Sequence, residues 1–181
     1  WWTSGSSAPP LVTTSPFGTS RTDAGVLGTP GAAILFGGNE IDNGMRTGLR
    51  LGLSRFIYDD TGARLRFQGI YLGEDNGSGE FFADSTGNPI LARPYIDAVT
   101  NLPRSELVAY DQVVEGSVAV ASSSKLYGAS INISDTYWEG ESSRFALHGG
   151  YRYLGFTDSL QIREQLVSTD LGGLIPLGTQ F

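Results

Sequence analysis

Four stretches of this chain alternate apolar and polar residues with a period of two, and in all four most of the apolar side chains fall at odd-numbered positions. Met45 to Tyr58 sets Leu49, Leu51, Leu53 and Ile57 against Arg46, Gly48, Arg50, Gly52 and Ser54. Ala63 to Gly73 sets Leu65, Phe67 and Tyr71 against Arg64, Arg66 and Gln68. Lys125 to Tyr137 carries Tyr127, Ala129, Ile131, Ile133 and Tyr137 on one parity and Gly128, Ser130, Asn132, Ser134 and Thr136 on the other. In Arg144 to Thr157 the apolar parity is Phe145, Leu147, Tyr151 and Tyr153, and the wet one begins Arg144, Ala146, His148, Gly150, Arg152. Successive side chains of a strand point to opposite faces, so each stretch reads as a strand with one apolar and one wet face.

The connections alternate as well. Asp59-Asp60-Thr61-Gly62 is a tight turn rich in residues that tolerate turn geometry, and Trp138 to Ser143 plays the same part between the last two strands. Thr3 to Gly44 and Glu74 to Ser124 are far longer, and a compact soluble domain rarely carries two such connections. In an up-and-down sheet, short turns fall at one end and long connections at the other. That is the layout of an outer-membrane barrel, with short periplasmic turns and long external loops. The expected fold is therefore all-β, a partial transmembrane antiparallel up-and-down β-barrel forming a single domain over residues 1–181, with long loops 3–44 and 74–124. The end of a fifth strand is expected around Trp1-Trp2. Tyr71-Leu72-Gly73 and Tyr153-Leu154-Gly155 suggest duplication of a hairpin.

Composition narrows the choice further. The 181 residues include no cysteine, which excludes a disulfide scaffold and thiolate chemistry. The net charge of −7 argues against a nucleic-acid reader with a basic face. The longest apolar run, Ala32 to Phe36, is far short of the roughly 20 residues a membrane helix needs. The opening Trp1-Trp2 without an initiator Met or signal segment, and the Gly/Pro-interrupted close at Phe181, lead us to expect a fragment of a longer product.

A soluble sandwich would bury the same odd parity that a barrel turns to lipid. The aromatics favour lipid: Tyr71, Tyr127, Tyr137, Trp138, Tyr151 and Tyr153 gather toward strand ends, as interfacial girdles do, with Tyr58 an exception on the even parity. The odd-face charges Arg55, Lys125 and Asp135 also lie near strand ends. Toward the long connections the even parity becomes apolar, through Ile70, Leu72, Val118, Val120, Leu126, Leu154, Phe156, Leu160 and Ile162, so there the inward face is expected to pack on something, most simply the long loops.

Arginine carries the sharpest chemistry. The wet parity of the four predicted strands holds Arg46, Arg50, Arg64, Arg66, Arg144, His148 and Arg152 and no acid. Guanidinium groups stay charged at any relevant pH, and rings of such groups favour anions in a pore. These residues are the candidate pore lining. The competing explanation is that they pair with acids on other strands or on loops folded inward. His148, the sole histidine, has no second histidine to share a metal and no Gly-x-Ser-x-Gly nucleophile to serve, so a solvated lumen residue is the simpler expectation. Asp75 to Glu80 lacks the ligand order of a calcium loop, and Gly37-Gly38 and Gly149-Gly150 open no helix that would bind phosphate. No catalytic, cofactor or metal residues are expected, and no enzyme activity.

Several segments also resemble a known family. Trp1-Trp2, the run Ala8-Pro9-Pro10-Leu11-Val12-Thr13-Thr14-Ser15-Pro16, Gly18-Thr19, Ala24 to Gly28, Leu35 to Gly38, Pro89 to Pro94, Glu106 to Ala109, Gly116 to Val118, Gly149 to Leu154 and Ile162 to Glu164 resemble the Putative Beta-barrel Porin Seven family of bacterial outer-membrane proteins. The resemblance implies an integral protein of a Gram-negative outer membrane, with lipid and small solutes as partners. It brings no catalytic residue, and full-length members would add a signal peptide and further strands. The expected function is passive passage of small solutes, leaning toward anions. A plugged barrel that anchors its long external loops for structural or surface interactions is the alternative.

Overall fold

The computed structural model describes residues 6–41, 46–58, 62–73, 79–173 and 175–181. Among them there is no α-helix, and eleven strands follow one another: β1 (Ser6–Ser7), β2 (Val12–Ser15), β3 (Ala33–Phe36), β4 (Glu40–Ile41), β5 (Gly48–Tyr58), β6 (Ala63–Leu72), β7 (Glu80–Ser85), β8 (Ile90–Ile96), β9 (Pro103–Ala109), β10 (Val114–Glu139) and β11 (Arg144–Ser168). The four predicted strands are present as β5, β6 and parts of β10 and β11. Trp1-Trp2 and the turn residues Asp59, Asp60 and Thr61 lie outside the described residues.

The chain divides into two compact units, one of Trp1–Thr3, Met45–Asp75 and Ser123–Ser159, the other of Ser4–Gly44, Asn76–Ser122 and Leu160–Phe181. Segments 3–44 and 74–124, read from sequence as long loops, contain β1 to β4, β7 to β9 and the start of β10. These strands were not legible in the sequence because they are short, and runs such as Ala33–Phe36 set apolar residues side by side without alternation.

In the first unit, β5, β6, β10 and β11 form one sheet in chain order, the up-and-down arrangement expected from the connections. Among the described residues it is an open sheet and closes no barrel. The register keeps parity across strands. Leu49, Tyr71 and Tyr127 stand side by side, as do Leu53, Phe67 and Ile131, while Arg50, Ile70 and Gly128 share a row on the other face. A bulge between Phe56 and Tyr58 shifts the register so that Tyr58 pairs with Ala63.

Glycines show which way this sheet bends. On the even face, a Cβ added to Gly48 would lie 2.7 Å from the Tyr71 carbonyl oxygen, one at Gly128 would lie 2.8 Å from that of Tyr153, and one at Gly150 would collide with that of Ile131. Gly52, further along β5, approaches main chain only at 4.0 Å. On the odd face, added Cβ atoms at Gly69 and Gly149 meet nothing within 4 Å. Neighbouring backbones crowd on the concave side of a bent sheet and spread on the convex side, and glycine kinks are a usual way to build such curvature. The even, arginine-bearing face is therefore the concave one.

The second unit holds a four-stranded sheet, β3-β2-β8-β9, together with β7 paired to Gly116–Ala121 of β10. Its core gathers Val12, Leu91, Val108, Ala109, Val118 and Val120, with Phe36, Phe81, Ile162 and Leu166 against it. Val118 and Val120, the even-parity valines expected to pack on the long connections, are 0% and 2% exposed, whereas Leu154, Phe156 and Leu160, expected to pack likewise, are exposed. Burying each valine is worth about 1.5 to 3 kcal/mol. The distinctive Val12-Thr13-Thr14-Ser15 run is β2, and its hydroxyls clamp the following loop. Thr13 Oγ1 donates to the Gly25 carbonyl at 2.8 Å, and Gly25 N–H donates to Ser15 Oγ at 2.9 Å.

An ion pair in this unit joins β8 to β11, with Arg93 Nη1 2.6 Å from Glu164 Oε1 and side-chain exposures of 34% and 17%. Glu164→Gln is expected to cost about 1 to 2 kcal/mol, because it leaves a half-buried guanidinium without its counter-charge while water still reaches the site. Chemical unfolding followed by limited proteolysis of the second unit measures this; an unchanged midpoint would refute it.

At the β8–β9 turn, Asp97 accepts N–H donations from Val99 at 2.8 Å and Thr100 at 3.2 Å, and these bonds hold its carboxyl below the ordinary carboxylate value of 3.8. A lowered folded-state value means that the stabilisation is complete above the ordinary value and is lost as pH falls through the lower one. Hydrogen exchange at the Val99 and Thr100 amides is therefore expected to accelerate below about pH 4, beyond the intrinsic pH effect. Equal acceleration in Asp97→Asn would contradict this.

Candidate functional site

The large apolar side chains on the odd face of the first unit are exposed. Leu49, Leu51, Phe67, Ile131, Ile133, Leu147 and Tyr151 are all exposed, and Leu53 reaches 74%. The packing that a soluble sandwich would give these side chains is not seen among the described residues. Tyr71 and Tyr127 are paired, and the Tyr127 and Tyr153 ring centroids lie 6.1 Å apart, giving a row of three tyrosines along one edge of the apolar band. Tyr127 also covers Gly155, where an added Cβ would lie 2.5 Å from its ring. Tyr137 and Phe145 mark the other edge. Ten residues separate Tyr127 from Tyr137, about 33 Å along a strand and about 25 Å in height at barrel tilt, the thickness of an outer-membrane apolar band. Of the odd-face charges, Arg55 is exposed near the end of β5, and Asp135 is half-buried with Oδ1 enclosed.

The concave face carries the predicted site residues. Arg66 stands between Ser54 on β5 and Asn132 on β10, and Arg64 between Phe56 and Ser134. The Arg64 guanidinium lies 4.3 Å from the Phe56 ring centroid, a cation–π contact that steadies it without neutralising it. Arg144 Nη2 donates to Thr136 Oγ1 at 2.7 Å. His148 and Arg152 are exposed on β11, as is Arg50 on β5. Arg50, Arg66 and Arg152 make no ion pair with any described residue. Arg46 differs: it is only 6% exposed, and its Nη1 donates to the Ser124 carbonyl at 2.8 Å, so it serves as a strut between two segments and not as open lining.

Two features were missed in the sequence. β11 runs past Thr157 to Ser168, so Asp158 joins the even parity of the first unit as an acid among the bases. The even face also carries a recess of about 230 Å³ lined by Arg50 and Arg152 with Gln68, Ile70, Ser130 and Leu154. Its floor exists because Gly128 has no side chain, a signal that needs the register to be read. Among the described residues there is no group of three or more His, Asp or Glu side chains able to hold a metal ion.

The first unit is thus an antiparallel sheet with an exposed apolar convex face edged by aromatics and a concave face rich in arginine, the two faces that a β-barrel wall requires. The family comparison agrees. The model for Putative beta barrel porin-7 (BBP7) matches residues 1–181, and the chain belongs to that family. No curated protein and no solved structure matches it.

Proposed function

We propose that this chain forms part of the wall of an outer-membrane β-barrel through which small solutes pass passively, with anions favoured over cations. The reading rests on one observation: the apolar odd face is bare while the concave even face carries Arg50, Arg66 and Arg152 without acidic partners among the described residues. Lipid is the solvent such an apolar face suits, and fixed positive charge along a water-filled passage raises the local anion concentration. The role involves positioning and electrostatics, without a catalytic step, cofactor or metal. Reversal potentials across a planar bilayer with a KCl gradient test it. A shift toward the chloride equilibrium potential is expected, reduced in Arg50→Gln/Arg66→Gln, and cation preference would overturn the anion reading.

The core of the second unit supports a second reading, in which the barrel anchors a folded surface module. Repeated insertions without any channel events would favour that reading over passage.

A further inference from the structure

The recess on the concave face has a particular chemistry. Arg50 and Arg152 stand on β5 and β11, the outer strands of the four, three inter-strand steps or about 14 Å of backbone apart. Between them the floor is apolar. Ile70 sits beside both Arg50 and Gly128 in register, and a Cβ at Gly128 would touch the ends of Leu154 and Ile70 at 3.0 and 3.5 Å, so these two side chains lean together over the glycine. Paired Gln68 and Ser130 add neutral hydrogen-bonding groups along one side. Two long cations reaching inward from opposite sides of an apolar bed match a molecule with an anionic group at each end and a hydrocarbon body between.

We propose that this recess is a binding subsite for organic dianions, namely aliphatic dicarboxylates whose two carboxylates engage Arg50 and Arg152 while the chain lies on Ile70 and Leu154. Each guanidinium offers a planar fork that a carboxylate fills with two hydrogen bonds. A monocarboxylate of equal length fills only one. The proposal rests on the reading of the even face as a water-filled lumen, since the ligand must reach it.

Adipate and hexanoate binding to the chain in detergent micelles, at constant ionic strength, tests it by calorimetry. Adipate is expected to bind at least about tenfold more tightly than hexanoate, a single extra charged pair being worth that much. Arg50→Gln and Arg152→Gln should each bring adipate to the hexanoate level, whereas Arg104→Gln, the same change of charge in the second unit, should leave the preference intact. Equal binding of the two acids, or a preference unchanged by both recess substitutions, would overturn the subsite. Ion current through the inserted protein separates the two levels. Adipate binding in micelles with no ion current through the inserted protein supports the subsite on a wet even face and overturns passage as the function. Anion-selective current with no adipate binding overturns the subsite and leaves the lumen reading standing.

Discussion

Ile131→Arg is expected to shift the folding equilibrium in lipid vesicles by roughly 30-fold to 700-fold toward the unfolded state, and Asn132→Arg, one residue along, by much less. Ile131 lies in the row with Leu53 and Phe67, between the tyrosine edge and Tyr137, near the middle of the apolar band. An arginine at that depth on a barrel's lipid face costs about 2 to 4 kcal/mol. With every 1.4 kcal/mol a factor of about ten, the fold-change follows. Asn132 points to the concave face beside Arg66, where the added guanidinium keeps its water and meets only like-charge repulsion screened by salt. Urea titrations in vesicles measure both variants. If they are destabilised equally, the odd face is not the lipid face.

The second large effect comes from adjacent glycines with opposite roles. A Cβ at Gly150 would collide with the Ile131 carbonyl and the Asn132 side chain, so Gly150→Val must push β11 away from β10 or flatten the sheet. Forced overpacking costs about 1 to 3 kcal/mol, and loss of curvature adds a failure of closure that shows as a lower yield of folded protein. At Gly149 nothing lies within 4 Å of an added Cβ, and the position faces outward. Gly149→Val is therefore expected to be neutral or to stabilise by up to about 1 kcal/mol, since glycine weakens a strand that a β-branched residue supports. Heat-modifiable mobility on gels, a measure of intact barrel, checks the pair. Equal damage at both positions would remove the argument that the even face is concave.

What the sequence disclosed was whatever depends on parity alone. The strands β5 and β6, and the outward rows of β10 and β11, follow from alternation because a period of two fixes the face of every residue once the strand is recognised. The second unit was hidden because β2, β7 and β8 are short, and Val12, Leu91 and Val108 meet only through long-range pairing that no local pattern encodes. The packing of Val118 and Val120 was legible as a change of chemistry at constant parity, but their partners were not. Among the arginines, parity put Arg50, Arg64 and Arg66 on one face, and the register of β5 with β6 keeps them there. It did not separate Arg46, whose burial depends on Ser124 from a distant part of the chain. Nor did it give the recess, which needs the rows of four strands set side by side.

The chain has no cysteine, so single cysteines can be placed one at a time along β10 from Gly128 to Ser134 without background. Labelling each in lipid vesicles with a membrane-impermeant maleimide, and in parallel with a lipid-phase quencher, reads out which face meets water and which meets hydrocarbon. Strict alternation is predicted: cysteines at positions 128, 130, 132 and 134 react with the water-soluble reagent, and those at 129, 131 and 133 are reached by the quencher instead. Uniform labelling by the water-soluble reagent at both parities would contradict a membrane-spanning wall with a wet concave face.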